Sequence, residues 1–222
     1  MDKRKIIFGS YDTDLNGLWT LTGWEFSPAE YRTNYVEVPG RDGDLDLSTA
    51  LSDGMPKYNN RTLTATFESS EGSRLEREDR INVMINWLDG WEMNITLPDD
   101  ELHYITGRVH VAKEYNDNAH CAVTVTAVCS PWRYNINETA RTLTAAATAT
   151  TTTLSNNGRR TVVPLIEITG EEASVNLVFG GASWVLGAGT YQLPDLILHQ
   201  GGAELTYSGT GTVIITYREA VL

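Results

Sequence analysis

Apolar and polar residues alternate strictly between Arg61 and Phe67, with Leu63, Ala65 and Phe67 on one face and threonines on the other. A period of two marks a half-buried strand. The period changes at Ser73, where Ile81, Met84, Ile85 and Leu88 recur at i, i+3, i+4 and i+7, the stripe of an amphipathic helix. Ser73 and Glu76 have the spacing of a capping box, and Gly90 is a stop signal. The pattern predicts a helix over 73–89 with Arg74, Glu76, Arg77, Glu78, Asp79 and Arg80 on its outer face. Alternation elsewhere predicts strands around Ile6 and Phe8, over Leu18–Phe26, over Trp91–Leu97, and in a hairpin joining Tyr104–Ala112 to Ala119–Cys129 through the loop Tyr115–Asn118. Ser130-Pro131-Trp132 is expected to close this first domain, 1–135.

From Thr139 to Thr153 the chain is almost all Thr and Ala. Flexible linkers are rich in Gly and Ser, so a strand or extended connector is the expectation, followed by a tight turn at Asn156-Asn157-Gly158. The remainder reads as short strands at 162–168, 174–179, 183–186, 190–193, 204–207 and 212–217, with glycine turns between them. That spacing suggests a β-sandwich or jelly roll for a second domain, 136–222. The fold class expected for the whole chain is mainly β, with an N-terminal β-sandwich or barrel-like domain carrying one α-helix.

The 222 residues carry a net charge of −12. The part up to Asn135 holds 13 basic and 22 acidic residues, net −9, and the rest holds 4 and 7, net −3. An acidic chain of this kind is unsuited to nucleic acid and to an anionic bilayer. Met1–Lys5 is charged but is followed only by Ile6-Ile7-Phe8, too short for a secretory signal, so assembly in the cytoplasm is expected. Cys121 and Cys129 bracket a β-prone run; eight steps along one strand separate them by roughly 26 Å, beyond the reach of a disulfide. Both fall on the face of Val123 and Val125, which implies buried free thiols.

Candidate chemistry is sparse. No phosphate loop, dinucleotide fingerprint, nucleophile elbow or zinc-protease helix is present, so neither catalytic residue nor cofactor nor metal is expected. Asp42, Asp44 and Asp46 lack calcium-loop spacing and read as solvated charges, with Asp42 capping its own turn. His103 and His110 point to opposite faces of their strand, and His110 and His120 approach across the hairpin without a third ligand. The six tryptophans suit a core, although Gly180-Gly181-Ala182-Ser183 would present Trp184 on a loop. With Tyr191, Trp184 forms a candidate platform for stacking on a sugar. A glycosidase would need two carboxylates facing one cleft, and the second domain is poor in acids.

One segment is distinctive. Tyr31-Arg-Thr-Asn-Tyr-Val-Glu-Val-Pro-Gly-Arg-Asp-Gly-Asp-Leu-Asp-Leu-Ser48 has the residues of a strand, a sharp turn at Pro39-Gly40 and Asp42-Gly43, and a second strand. It resembles the run "K/R-T-N-Y-V-x-V-P-G-R-D-G-x-L-D-L" near the start of phage distal tail proteins, with Pro39, Gly40, Arg41, Asp42 and Gly43 at its centre. The order strands, helix, strands and the ending Cys129-Ser130-Pro131-Trp132 are also similar to that family, as, more generically, is Asn156–Gly170. The resemblance implies a non-enzymatic virion protein at the tail tip. It would be a homohexameric ring hub of N-terminal domains joining the tail tube protein to a tail-tip, fibre or lysin protein, with a C-terminal galectin-like or jelly-roll sandwich projecting outward. A receptor-binding protein or host glycan is a further implied partner. The alternative function is a carbohydrate-binding sandwich recognising host surface glycans through Trp184 or Tyr191.

Overall fold

The computed structural model describes residues 5–14, 18–50, 52 and 54–222; Met1–Arg4, part of the charged N-terminal stretch, lies outside the described residues. The chain divides into two compact units, Met1–Arg133 and Tyr134–Leu222. It is mainly β, with one α-helix among the described residues.

The first unit is built from β1 (Ile7–Phe8), β2 (Tyr11–Asp12), β3 (Thr20–Phe26), β4 (Tyr35–Val36), β5 (Leu45–Asp46), β6 (Arg61–Ser69), α1 (Arg74–Leu88), β7 (Glu92–Leu97), β8 (Asp100–Asn116) and β9 (Cys121–Asn135). Its main sheet runs β2-β1-β7-β8-β9-β6-β3. The alternation read in β6 is obeyed: Leu63, Ala65 and Phe67 are fully buried, with Ala65 opposite Val125 and Phe67 opposite Val123 of β9. Trp24 and Phe26 of β3 line one cleft with Leu97 and Asp100 from the β7–β8 turn. Those elements are far apart in strand order, so the sheet curls into a barrel-like form. Contrary to expectation, β9 does not stop at Ser130-Pro131-Trp132 but runs on to Asn135.

Helix α1 packs along β8 and seals the core with Ile81, Met84 and Leu88. Its N-terminus is the expected capping box, Ser73 accepting from the Glu76 N–H while the Glu76 carboxylate accepts from the Ser73 N–H at 2.6 Å. One element of the helix reading is overturned. Arg77 is not on the charged outer face; it is 2% exposed and continues the buried stripe one turn N-terminal of Ile81. A periodicity argument scores Arg as polar, whereas the guanidinium here is satisfied by donating to Gly72 C=O at 2.6 Å and Asp117 C=O at 2.9 Å.

The second unit holds β10 (Thr139–Ala145), β11 (Thr150–Asn156), β12 (Leu165–Phe179), β13 (Ala182–Gly187), β14 (Gly189–Gln192), β15 (Gly201–Tyr217) and β16 (Ala220–Val221). The Thr/Ala stretch is neither linker nor connector: β10 and β11 both pair with β15, from Thr139 opposite Tyr217 to Asn156 opposite Gly201. Several glycines read as turns are bends within long strands. Strand β12 shifts register between Thr169 and Ser174, opposite Thr212 and Thr210 of β15, and Gly170, Gly209 and Gly211 take φ of +134°, +117° and +126° there. Ile166, Ile168, Val213 and Ile215 on one side of the bend share a single buried cluster with Leu154, Val175, Leu177 and Leu205 on the other. The sheet therefore folds over its own core. Gly180 and Gly181, φ +57° and +88°, make the two-residue turn between β12 and β13, a conformation that suits the strand twist.

Asn156 is fully buried and holds the corner after β11. Its amide donates to Arg160 C=O at 2.8 Å and Leu198 C=O at 3.1 Å, and its Oδ1 accepts the Gly158 N–H at 3.0 Å. The expected turn is present, tied inward by its first residue.

Candidate functional site

Between β3 and β6 the described residues of 27–60 form a long antiparallel arm of the first unit. Its two sides are joined by Asn59 N–H to Glu30 C=O at 2.8 Å, Arg32 N–H to Lys57 C=O at 2.7 Å and Leu47 N–H to Asn34 C=O at 2.8 Å. The two-stranded ladder of β4 and β5 follows, Tyr35 opposite Asp46 and Val36 opposite Leu45. Near the tip Arg41 N–H donates to Val38 C=O at 3.1 Å. Pro39 and Gly40 occupy the central positions, with Gly40 at φ +83°, the requirement of a type II turn. The carboxylate that caps this region is Asp46 rather than Asp42. It accepts the Ser48 N–H at 2.9 Å, and hydrogen bonding by Ser48 holds its carboxyl below the usual range.

At the base the arm is fastened. Arg61 Nε donates to Ser27 C=O at 2.7 Å, its guanidinium lies 3.7 Å from the Phe26 ring centroid, and Tyr58 meets Trp132 edge-on at 5.4 Å. Beyond the base no described residue of the arm belongs to the buried core, while Tyr31, Tyr35, Val36 and Leu47 stand exposed. A two-stranded ribbon without a sheet or helix behind it is marginal in water, and aromatic residues concentrate where proteins meet one another.

A second exposed apolar surface lies at the far end of α1. Val83 and Trp87 are one turn apart, and Trp91 follows the helix; Trp87 is 58% and Trp91 64% exposed. The backbone beneath them is fixed: Asp89 N–H closes the helix on Ile85 C=O at 2.9 Å, Val109 N–H donates to Trp91 C=O at 2.9 Å, and Arg108 donates to Gly90 C=O at 2.7 Å. Two indoles standing in water on a fixed backbone are unusual, because tryptophan gives more than other residues on burial. A reading that sends tryptophans to the core misses them, yet Trp87 lies outside the Ile81, Met84, Leu88 stripe and was identifiable by that offset.

The sequence-derived stacking pair is placed differently. Trp184 lies on β13, opposite Leu177, not on a loop. Like Tyr191 on β14 it is half-buried against the second core, and the Tyr191 hydroxyl donates to Gly187 C=O at 3.2 Å. The motif residues Pro39, Gly40, Arg41, Asp42 and Gly43 are together at the exposed arm tip.

Titratable groups are engaged structurally. His110 Nδ1 pairs with Asp89 at 2.7 Å and His103 Nδ1 with Asp100 at 2.7 Å, while Arg133 takes the other Asp100 oxygen at 2.7 Å. His120 contributes its carbonyl to the hairpin tip, accepting the Asp117 N–H at 2.9 Å. Among the described residues no three His, Cys, Asp or Glu side chains are placed to hold a metal ion. Cys121 and Cys129 are buried free thiols, and desolvation pushes Cys129 up to about 12. No described helix is long and apolar enough to cross a membrane.

No protein-family model and no curated protein matches the sequence. Among solved structures the chain is similar to the crystal structure of SPP1 Dit (gp 19.1), described as a paradigm of the hub adsorption apparatus in phages infecting Gram-positive bacteria. The likeness has a TM-score of 0.68 at 14% identity and covers 96% of this chain and 98% of that one. The two chains share a fold across both units.

Proposed function

We propose that this chain is a structural component of a phage or prophage tail tip. It forms a homohexameric ring hub that joins the tail tube to tail-tip, baseplate and host-adhesion proteins. It acts by geometry and not by catalysis. The observation that carries this reading is the arm: a ribbon with four exposed apolar side chains and no core of its own, on a unit that also bears the separate Val83, Trp87 and Trp91 face. A ring needs two different patches on each subunit, so that each copy meets the next head to tail. The arm and the tryptophan face supply them. The fold shared with the SPP1 hub protein and the Tyr31–Ser48 resemblance support the same reading. In it, residues 1–135 form the ring domain, and 136–222 form the galectin-like or jelly-roll domain that projects outward.

Light scattering behind a sizing column tests the proposal. The wild-type chain is expected at six times its monomer mass. Replacing 33–47 by a short Gly-Ser link, or substituting Trp87→Ser with Trp91→Ser, is expected to give folded monomers with an unchanged first melting transition. A wild-type chain that stays monomeric at all concentrations overturns it. The glycan-binding alternative gains nothing from the placement of Trp184 and Tyr191, whose rings are engaged with their own core.

A further inference from the structure

The arm is an in-register extension of two core strands. Phe26 stands opposite Leu63 in the β3–β6 pair, and five residues further out on each side Tyr31 stands opposite Tyr58. Between them Ser27 N–H donates to Thr62 C=O at 2.9 Å. Strand β9 accompanies this ribbon only part of the way. Its pairing with β6 ends at Arg61 opposite Cys129, and Pro131, two positions on, has no N–H with which to continue it. At the next position the support passes from backbone to side chain. By the same register Trp132 falls opposite Tyr58, and the two rings meet edge-on at 5.4 Å and 78°.

The ribbon is thereby gripped on both faces. Successive side chains of a strand point to opposite faces, so Tyr58, three positions from Arg61, lies on the other face from it. On the core side Arg61 holds Ser27 and Phe26; on the other side Trp132 holds Tyr58. Trp132 is half-buried, yet neither it nor Tyr58 belongs to a hydrophobic core, so this indole is not needed to fill the barrel. What it does act on is the direction of the ribbon. From Tyr31 to Gly40 the arm is about 30 Å long, so a tilt of about 10° at its root displaces the tip by about 5 Å, the spacing of one strand from the next.

We infer that Trp132 is a positioning residue. Through Tyr58 it fixes the angle at which the arm leaves the first unit, and with it the rotation between successive copies, which decides how many subunits close a ring. The first half of this inference stands on the single chain; the second half rests on the proposed ring assembly.

Hydrogen exchange read by mass spectrometry, on the full chain diluted until light scattering reads one copy, tests the first half. Trp132→Ser is expected to speed exchange about fivefold or more in 30–33 and 56–59, with the first melting transition retained. Trp132→Phe keeps an edge-on ring pair and is expected to hold the wild-type rate. Tyr58→Ser is expected to match Trp132→Ser, and the double variant to add nothing further. Should Trp132→Ser lower the melting transition, Tyr58→Ser decides. Unchanged exchange at the root, or full additivity of the two variants, overturns the inference. Light scattering on the concentrated chain tests the second half. Wild type and Trp132→Phe are expected at six copies, and Trp132→Ser is expected to lose that single mass. A Trp132→Ser chain that is loosened at the root and still closes at six overturns the control of ring size. A wild-type chain that never associates overturns the ring, and the root exchange alone then decides the arm angle.

Discussion

The guanidinium of Arg77, buried beneath α1, donates to the main-chain carbonyl of Asp117 at the tip of the β8–β9 hairpin, 2.9 Å away. The same side chain donates to Gly72 C=O at 2.6 Å, so one cation ties the helix entrance to a hairpin some forty residues along. Gly72 and Asp117 are themselves exposed, so removing the cation loses two charge-assisted hydrogen bonds, each worth roughly 1.5–3 kcal/mol, rather than stranding their carbonyls. Arg77→Met is expected to lower the stability of the first unit by about 3 kcal/mol, measured by denaturant titration. Arg77→Lys is not expected to rescue it, since an ammonium lacks the planar fork that reaches both carbonyls.

Gly209 is irreplaceable for a different reason. A Cβ there falls 2.1 Å from the Ser174 carbonyl oxygen, at φ +117°. Gly209→Ala is expected to cost more than about 4 kcal/mol and to abolish the second unit's melting transition while sparing the first. Gly180→Ala, at φ +57° but in open space, is expected to cost about 1–2 kcal/mol. Differential scanning calorimetry separates the two outcomes.

The thiols should be inert in the folded state. Burial raises Cys121 and takes Cys129 to about 12, so the reactive thiolate is scarce at neutral pH. A disulfide-exchange reagent at pH 8 is expected to label neither cysteine in native protein and both in guanidinium. Rapid native labelling of Cys129 contradicts its burial.

Acid should loosen the attachment of α1. Asp89 is held below the usual carboxylate range, first by the Val111 N–H and then by His110. Glu78 is lowered by hydrogen bonds from Lys113 and Asn116, and Asp117 by the His120 and Ala119 N–H groups. A carboxylate depressed in the folded state stabilises fully above its unfolded value, about 4, and that contribution disappears as pH falls through the folded value. The melting temperature of the first unit is therefore expected to hold from pH 7 to about 5 and to fall below 4. Asp89→Asn should flatten that fall, because the amide oxygen still accepts the Val111 N–H but does not titrate.

Much of the first unit was legible in the sequence because its elements obey local rules. The capping box at Ser73, the alternation of β6 and the turn at Pro39-Gly40 each rest on residues within a few positions of one another. What the sequence hid is nonlocal. Arg77 looks solvated until the Asp117 carbonyl arrives from the hairpin tip. Gly170 and Gly209 read as turns because nothing local distinguishes a turn from a bend shared by neighbouring strands. Trp184 looked presentable on a glycine loop, but Gly180 and Gly181 complete the turn in two residues and return the chain to the sheet. The arm motif was recognisable as a pattern; its detachment from the core was not, since exposure of Tyr31 and Tyr35 depends on what fails to pack against them.

The Thr/Ala rows must wait for their partner strand while the protein is made. Thr139–Ala145 has Gly211–Tyr217 opposite it, and Thr150–Asn156 has Gly201–Tyr207. On the ribosome these threonines emerge long before their partner strand exists, and pairing over such a sequence distance closes slowly. The first unit's strands are all synthesised by then and free to condense. Through that interval the nascent chain carries a β-prone segment with Arg141 as its one charge and without a mate, which is the hazard that drives misassembly between neighbouring chains on one message. Slowing translation after residue 156 should therefore reduce soluble yield more than slowing it after Tyr217.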